Sequence, residues 1–211
     1  MNIYNVIILD ESGSMSSIYR ETLASMNEVL SGIRKNQKEF PEQRHYVTIV
    51  TFEGDGIKGV KTRRDRVPVE TVSPFTEADY HPGGCTPLYD AMGKTLNELE
   101  GLIRPEDKVM ATIITDGMEN SSEEYSGRIV KNLVTRLRGK GWALAYIGAN
   151  QDSVEVARDL NIGNALNFDA TPDGMEEMSF RFSMSSRKMS RLVHFDDNLG
   201  ECENLFDDEN E

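Results

Sequence analysis

The chain has little cysteine: two residues in 211, Cys85 and Cys202, far apart and without the paired spacing of metal ligands. A disulfide framework and a structural zinc site are therefore excluded as the basis of the fold. Free thiols in a reducing compartment are the expectation. Long apolar runs are also missing, and none approaches the ~20 residues of a membrane span. Met1 to Asp10 lacks the basic start and the extended apolar stretch of a signal peptide. The expected location is cytoplasmic. Positive charge is scarce as well: 23 Lys and Arg stand against 36 Asp and Glu, for a net charge of −13. Nucleic acid and anionic membrane surfaces, which need a basic face, are not expected partners. The imbalance is concentrated at the end of the chain. Asp196 to Glu211 holds eight acidic residues and no Lys or Arg, which leaves −5 for the rest.

What is present suits one α/β domain. A chain of 211 residues buries roughly 70% of its unfolded surface on folding and needs no covalent staple. Four runs read as buried strands: Val6 to Leu9, Tyr46 to Phe52, Val109 to Thr115 and Trp142 to Gly148. Their apolar residues are nearly continuous, as in a sheet covered on both faces. Helical spacing appears in Met26, Val29, Leu30 and Ile33, again from Leu88 to Leu99, and again from Ile129 to Leu137. Ser121 with Glu124 reads as a capping box for that third helix. A short helix is expected from about Asp152 to Leu160, a strand at Asn164 to Asp169, and a last helix from Pro172 to about Leu192. Ile57 to Val72 reads as a hairpin or edge strand with the charged run Lys61 to Arg66 at a solvated tip. The predicted fold is a doubly wound three-layer α/β/α sandwich, mostly parallel, with one antiparallel edge strand. Residues 1–194 are expected to form the domain, and 195–211 an acidic, disordered tail.

Three motifs carry chemistry. Asp10-Glu11-Ser12-Gly13-Ser14 follows the first strand. Gly83-Gly84-Cys85-Thr86-Pro87 leads into a helix. Thr115-Asp116-Gly117 ends another buried strand. In open α/β sheets, ligands bind beyond the carboxyl ends of strands where the strand order reverses. Asp10 and Asp116 both end strands, so one crevice can receive both, with Thr86 reaching it from an adjacent loop. Two carboxylates and three hydroxyls are hard oxygen donors, which favour Mg²⁺, Mn²⁺ or Ca²⁺ over zinc. Two carboxylates cancel only the charge of a dication, leaving it free to take an acidic group from elsewhere.

The Asp-x-Ser-x-Ser loop, the later Thr and the later Thr-Asp-Gly resemble the metal-ion-dependent adhesion site of von Willebrand factor type A domains. Gly83 to Ala91 and Thr115 to Asn120 resemble the versions in bacterial cytoplasmic members, and the likeness runs over roughly residues 3 to 191. It implies that Asp10, Ser12, Ser14, Thr86 and Asp116 hold one Mg²⁺, with Mn²⁺ or Ca²⁺ as alternatives. It also implies a Rossmann-like sheet of six strands in the order 3-2-1-4-5-6 with the third antiparallel. The function it implies is a protein-binding module, not an enzyme, in which a partner's acidic residue completes the ion's coordination. An AAA+ ATPase or another complex component is the kind of partner such relatives work beside.

Two other functions fit parts of the sequence. One is a Mg²⁺-dependent hydrolase of the phosphatase type. Haloacid-dehalogenase-type phosphatases need a second acid two positions after the first, where Ser12 stands here, and a lysine near the later motif. The other is a self-associating module whose acidic tail occupies the metal site. Taken singly, the motif residues also have ordinary readings. Ser12, Ser14 or Thr86 would cap a helix, Asp116-Gly117 would form a turn, Glu11 and Glu119 would be solvated rim residues, and Cys85 a small buried residue. His81 is a candidate to face the site. Gly148 to Asp152 reads as a strand-to-helix turn capped by Asp152 or Ser153.

Overall fold

The structure is a computed structural model, and it describes residues 1–54, 56–149, 153–195, 199–203 and 205–206. The expected turn at 150–152 thus lies outside the described residues. The chain alternates strand and helix: β1 Asn2–Asp10, α1 Tyr19–Glu39, β2 Arg44–Phe52, β3 Val60–Pro68, α2 Leu88–Glu100, β4 Lys108–Thr115, α3 Gly127–Arg138, β5 Ala143–Ala149, α4 Ser153–Asp159, β6 Asn164–Phe168 and α5 Pro172–Phe195. The six strands form one sheet in the order β3-β2-β1-β4-β5-β6. All neighbouring pairs are parallel except β2 with β3. This is the three-layer α/β/α sandwich expected from the near-continuous apolar strands.

The two faces of the sheet are read directly from alternation in β1. Val6 and Ile8 join the core under α2 and α3, with Leu96, Val130, Val134 and Tyr146. Ile7 and Leu9 join the opposite core under α1 and α5, with Met26, Ile33, Met178 and Phe182. Because both faces are covered, neither set of alternating residues has to be polar, and the strand reads as a solid apolar run. No helix among the described residues is long and apolar enough to cross a membrane.

Two expectations need correction. The charged run Lys61 to Arg66 is not a hairpin tip but the body of β3, which lies along β2 with register shifts near Ile49. The turn before it is the short 3-10 segment Gly56–Gly59. Arg63 and Arg64 are only partly exposed because each is ion-paired, Arg63 to Glu11 and Arg64 to Asp79. The second correction concerns the end of the chain. Leu199, Leu205 and Phe206 are buried, Leu199 completely. Leu199 and Leu205 pack with Ile3, Met110, Met189 and Val193, and Phe206 joins the core under α1 and α5, its carbonyl accepting from Arg181 of α5. Asn164 at the start of β6 donates to the Cys202 carbonyl and accepts from the Leu205 amide, serving both backbone groups of the segment from the sheet edge. Over these residues the expected disordered tail does not hold: three apolar anchors outweigh the acidic composition.

Candidate metal centre

The order of strands reverses between β1 and β4, which lie side by side with Leu9 opposite Ile114. Asp10 therefore ends its strand beside Thr115, and the two following loops open into one crevice, as the topology requires. The Thr115 hydroxyl donates to Asp10 Oδ2 at 2.5 Å. The Ser12 amide donates to the other oxygen, Asp10 Oδ1, at 2.7 Å. Beyond Ser12 the chain turns through the 3-10 segment Gly13–Ile18. That turn brings the Ser14 hydroxyl within 3.2 Å of the Ser12 hydroxyl. The Ser14 hydroxyl also donates to Asp116 Oδ1 at 2.6 Å. Neither Ser12 nor Ser14 caps a helix: Ser12 makes no side-chain cap bond, and the residue before α1 is Ile18.

Thr86 comes from the connection between β3 and α2. A Cβ built on Gly117 would sit 3.2 Å from the Thr86 hydroxyl and 3.7 Å from both Asp10 Oδ2 and the Ser14 hydroxyl. These oxygens therefore converge around Gly117. Glycine is also needed at 84, where φ is +65° and a side chain would meet the Gly54 backbone at 2.7 Å. That close pass seats the Thr86 loop against the loop after β2, where the Gly54 amide donates to the Cys85 carbonyl, and the Gly13 amide of the first site loop donates to the Gly84 carbonyl. All five sequence-predicted positions, Asp10, Ser12, Ser14, Thr86 and Asp116, are thus brought together.

Asp10 is fully buried and Asp116 half-buried. Burial is the largest influence on both carboxyls and raises them. Asp10 is pushed up to about 6 against the hydrogen bonds from Thr115 and Ser12, and the nearby Asp116 charge adds to the rise. Asp116 is raised in the same way, opposed by the Ser14 hydroxyl. Among the described residues, no Lys or Arg is ion-paired to either carboxyl; their partners are hydroxyls and a backbone amide. Nor do three His, Cys, Asp or Glu side chains gather anywhere among the described residues. The donor set is two carboxylates and three hydroxyls, all hard oxygens. That chemistry fits Mg²⁺, Mn²⁺ or Ca²⁺ with part of the coordination left to water or another molecule.

Several residues that hold this arrangement are not evident as such from the sequence. Glu11 is not on the rim. It is buried, paired with both of its oxygens to Arg63 at 3.0 and 2.9 Å, and it accepts the His81 amide. It clips β3 and the Thr86 loop to the first site loop. The His81 ring is exposed, 3.9 Å from Glu11, so it faces that clip rather than the converging oxygens. Tyr80 is buried and donates to the Asp10 carbonyl at 2.8 Å. Glu119 accepts the amides of Tyr89, Ser121 and Ser122. Asp90 is buried and accepts those of Glu123, Glu124 and Tyr125. Ser121 and Glu124 form no capping box, because Ser121 donates to the Gly54 carbonyl and α3 begins after Ser126. Cys85 is exposed, not buried. Among the described residues the Ser153 hydroxyl has no partner, while its amide donates to Asn167. The only sequence signal for the clips was an acidic residue beside a motif, and that is also what a solvated rim looks like.

No protein-family model matches the chain, and no curated protein matches it in sequence. Solved structures do share its fold. A von Willebrand factor type A protein from Catenulispora acidiphila superposes with a TM-score of 0.61 at 15% identity, covering 91% of this chain and 42% of that one. The pilus adhesin SpaC from Lactobacillus rhamnosus GG, in its open conformation, gives 0.61 at 12% identity, covering 90% and 30%. Proximal thread matrix protein 1 from the mussel byssus gives 0.57 at 15%, covering 86% and 45%. The chain spans less than half the length of each. At these identities the likeness is one of fold: the sandwich is of the von Willebrand factor type A kind.

Proposed function

We propose that this chain is a divalent-metal-dependent protein-binding module, with Mg²⁺ held by Asp10, Ser12, Ser14, Thr86 and Asp116. The observation that carries the reading is a fully buried carboxylate, Asp10, with a second, Asp116, close by and no Lys or Arg ion-paired to either among the described residues. A buried charge is costly unless paired or bound to a metal. The hydroxyls of Ser12, Ser14 and Thr86 surround these carboxylates with further hard donors. Asp10 and Asp116 would neutralise the ion's charge, and the hydroxyls add none. A bound dication would supply an electrophilic coordination position open to the crevice mouth, which suits a carboxylate from a partner protein. The exposed backbone and side chains of Gly13, Ser14, Gly84 and Cys85 form the approach.

Affinity capture from cells that make the protein tests this, in Mg²⁺ and in EDTA, with wild type and a folded Asp10→Ala/Asp116→Ala variant as bait. The expected partner is retained by wild type in Mg²⁺ and lost on chelation and in the variant. A partner held equally under all these conditions overturns the reading.

A further inference from the structure

Thr86 is the site residue whose aim needs explaining, since it stands at the start of a helix and not at the end of a strand. It stands just before Pro87 and α2, where a threonine ordinarily turns its hydroxyl to the first free amides of the helix. Here it does not: α2 has no side-chain cap from its own chain segment. The loop after β4 supplies that service instead. Glu119 Oε2 accepts the Tyr89 amide at 2.8 Å, and the Ser122 hydroxyl accepts the Asp90 amide at 3.0 Å. The Thr86 hydroxyl is thereby released from capping.

One residue of the same loop fixes the Thr86 backbone. Asn120 Oδ1 accepts the Thr86 amide at 2.8 Å. The Asn120 amide donates to the Thr86 carbonyl at 3.2 Å. Both backbone polar groups of Thr86 thus end on Asn120, an exposed residue four positions after Asp116. With the backbone held on both sides, only the side-chain rotamer of Thr86 remains, and a β-branched side chain has few.

We propose that Asn120 is a positioning residue of the site, holding Thr86 by both backbone groups so that its hydroxyl faces the Asp10 and Ser14 oxygens around Gly117. The proposal rests on the metal-binding reading. It makes Thr86 and Asp116 one mechanical unit, since Asn120 and Asp116 share a loop. Neighbours that orient metal ligands are typically worth 10–100-fold in metal affinity.

The test uses the whole chain with Asn120→Ala and Asn120→Asp, titrated with MgCl₂ by calorimetry. Exchange of the Thr86 amide is followed by NMR in the metal-free protein. N120A is expected to bind Mg²⁺ on the order of tenfold more weakly, with a thermal midpoint near that of wild type and faster exchange at Thr86. N120D keeps the acceptor oxygen, so it restores slow exchange and binds at least as tightly as wild type. The proposal is overturned if N120A matches wild type in affinity, if N120D is as weak as N120A, or if Thr86 exchange is unchanged in N120A. A wild-type protein that takes up no Mg²⁺ overturns the metal reading itself. Wild-type binding with an unaltered N120A overturns only the role of Asn120.

Discussion

The Ser14 hydroxyl donates to Asp116 at 2.6 Å across 102 residues of sequence. That bond joins the loop after β1 to the loop after β4 at the point where the strand order reverses. Ser14 is exposed, so removing its hydroxyl leaves no cavity. Ser14→Ala is expected to leave the unfolding free energy within about 0.5 kcal/mol of wild type and to weaken Mg²⁺ binding on the order of tenfold. Calorimetric titration alongside urea unfolding checks both.

The Glu11–Arg63 pair gives an asymmetric expectation. Arg63 is partly exposed and Glu11 is not exposed at all. Removing Arg63 strands a carboxylate in the interior, whereas Glu11→Gln leaves an acceptor for Arg63 and for the His81 amide. Arg63→Ala should cost about 3–5 kcal/mol, and Glu11→Gln about 1–2 kcal/mol. Urea unfolding measures the two. Equal costs, or a larger cost for Glu11→Gln, would show that the pair does not clip the loops as described.

His45 sets a pH dependence remote from the crevice. Asn5 Nδ2 lies 3.3 Å from His45 Nδ1 and donates to the Tyr46 carbonyl, while His45 Nε2 lies 3.2 Å from Gln43 Oε1. This pattern suits the neutral ring protonated at Nε2. Burial lowers its pKa to about 4, against a smaller opposing effect of the Glu70 charge. The folded value lies below the unfolded one near 6.5. The unfolded chain therefore binds the proton first, and stability is lost as pH falls from about 6.5 towards 4. The contribution reaches about 3 kcal/mol at most. Stability of wild type minus that of His45→Gln, measured from pH 7.5 to 4.5, should decline towards the acid end. A flat difference would contradict it.

The chain end is expected to carry stability. Leu205 is 2% exposed, and burying such a side chain contributes about 2–5 kcal/mol relative to alanine. Leu205→Ala, or truncation after residue 198, should lower the thermal midpoint by about 4–10 °C or more at this size. An unchanged midpoint would mean the anchors do not bind the core in solution.

Much of this was legible in the sequence because it repeats a local rule. Continuous apolar runs mark β1, β2, β4 and β5 as doubly covered strands, and Asp10 and Asp116 fall at strand ends where a reversal gathers them. What escaped depended on distant partners. Arg63 looks like a solvated cation until Glu11 is placed beside it from β1. Glu119 and Asp90 look like surface acids until the amides of other loops are found on them. Thr86-Pro87 reads as a cap unless the capping groups are known to arrive from the loop after β4. The end of the chain misled through composition: eight acids outvoted Leu199, Leu205 and Phe206 in the sequence, although these three settle where the segment lies.

Calorimetric titration of wild type and Asp10→Asn with MgCl₂ tests the central claim most directly. Asparagine keeps the shape of Asp10 and an acceptor for the Ser12 amide, so the fold is retained while one of the two site charges is removed. The expected result is one Mg²⁺ per wild-type chain and no measurable uptake by the variant. Absence of binding by wild type, or equal binding by both, would contradict a metal centre at Asp10 and Asp116.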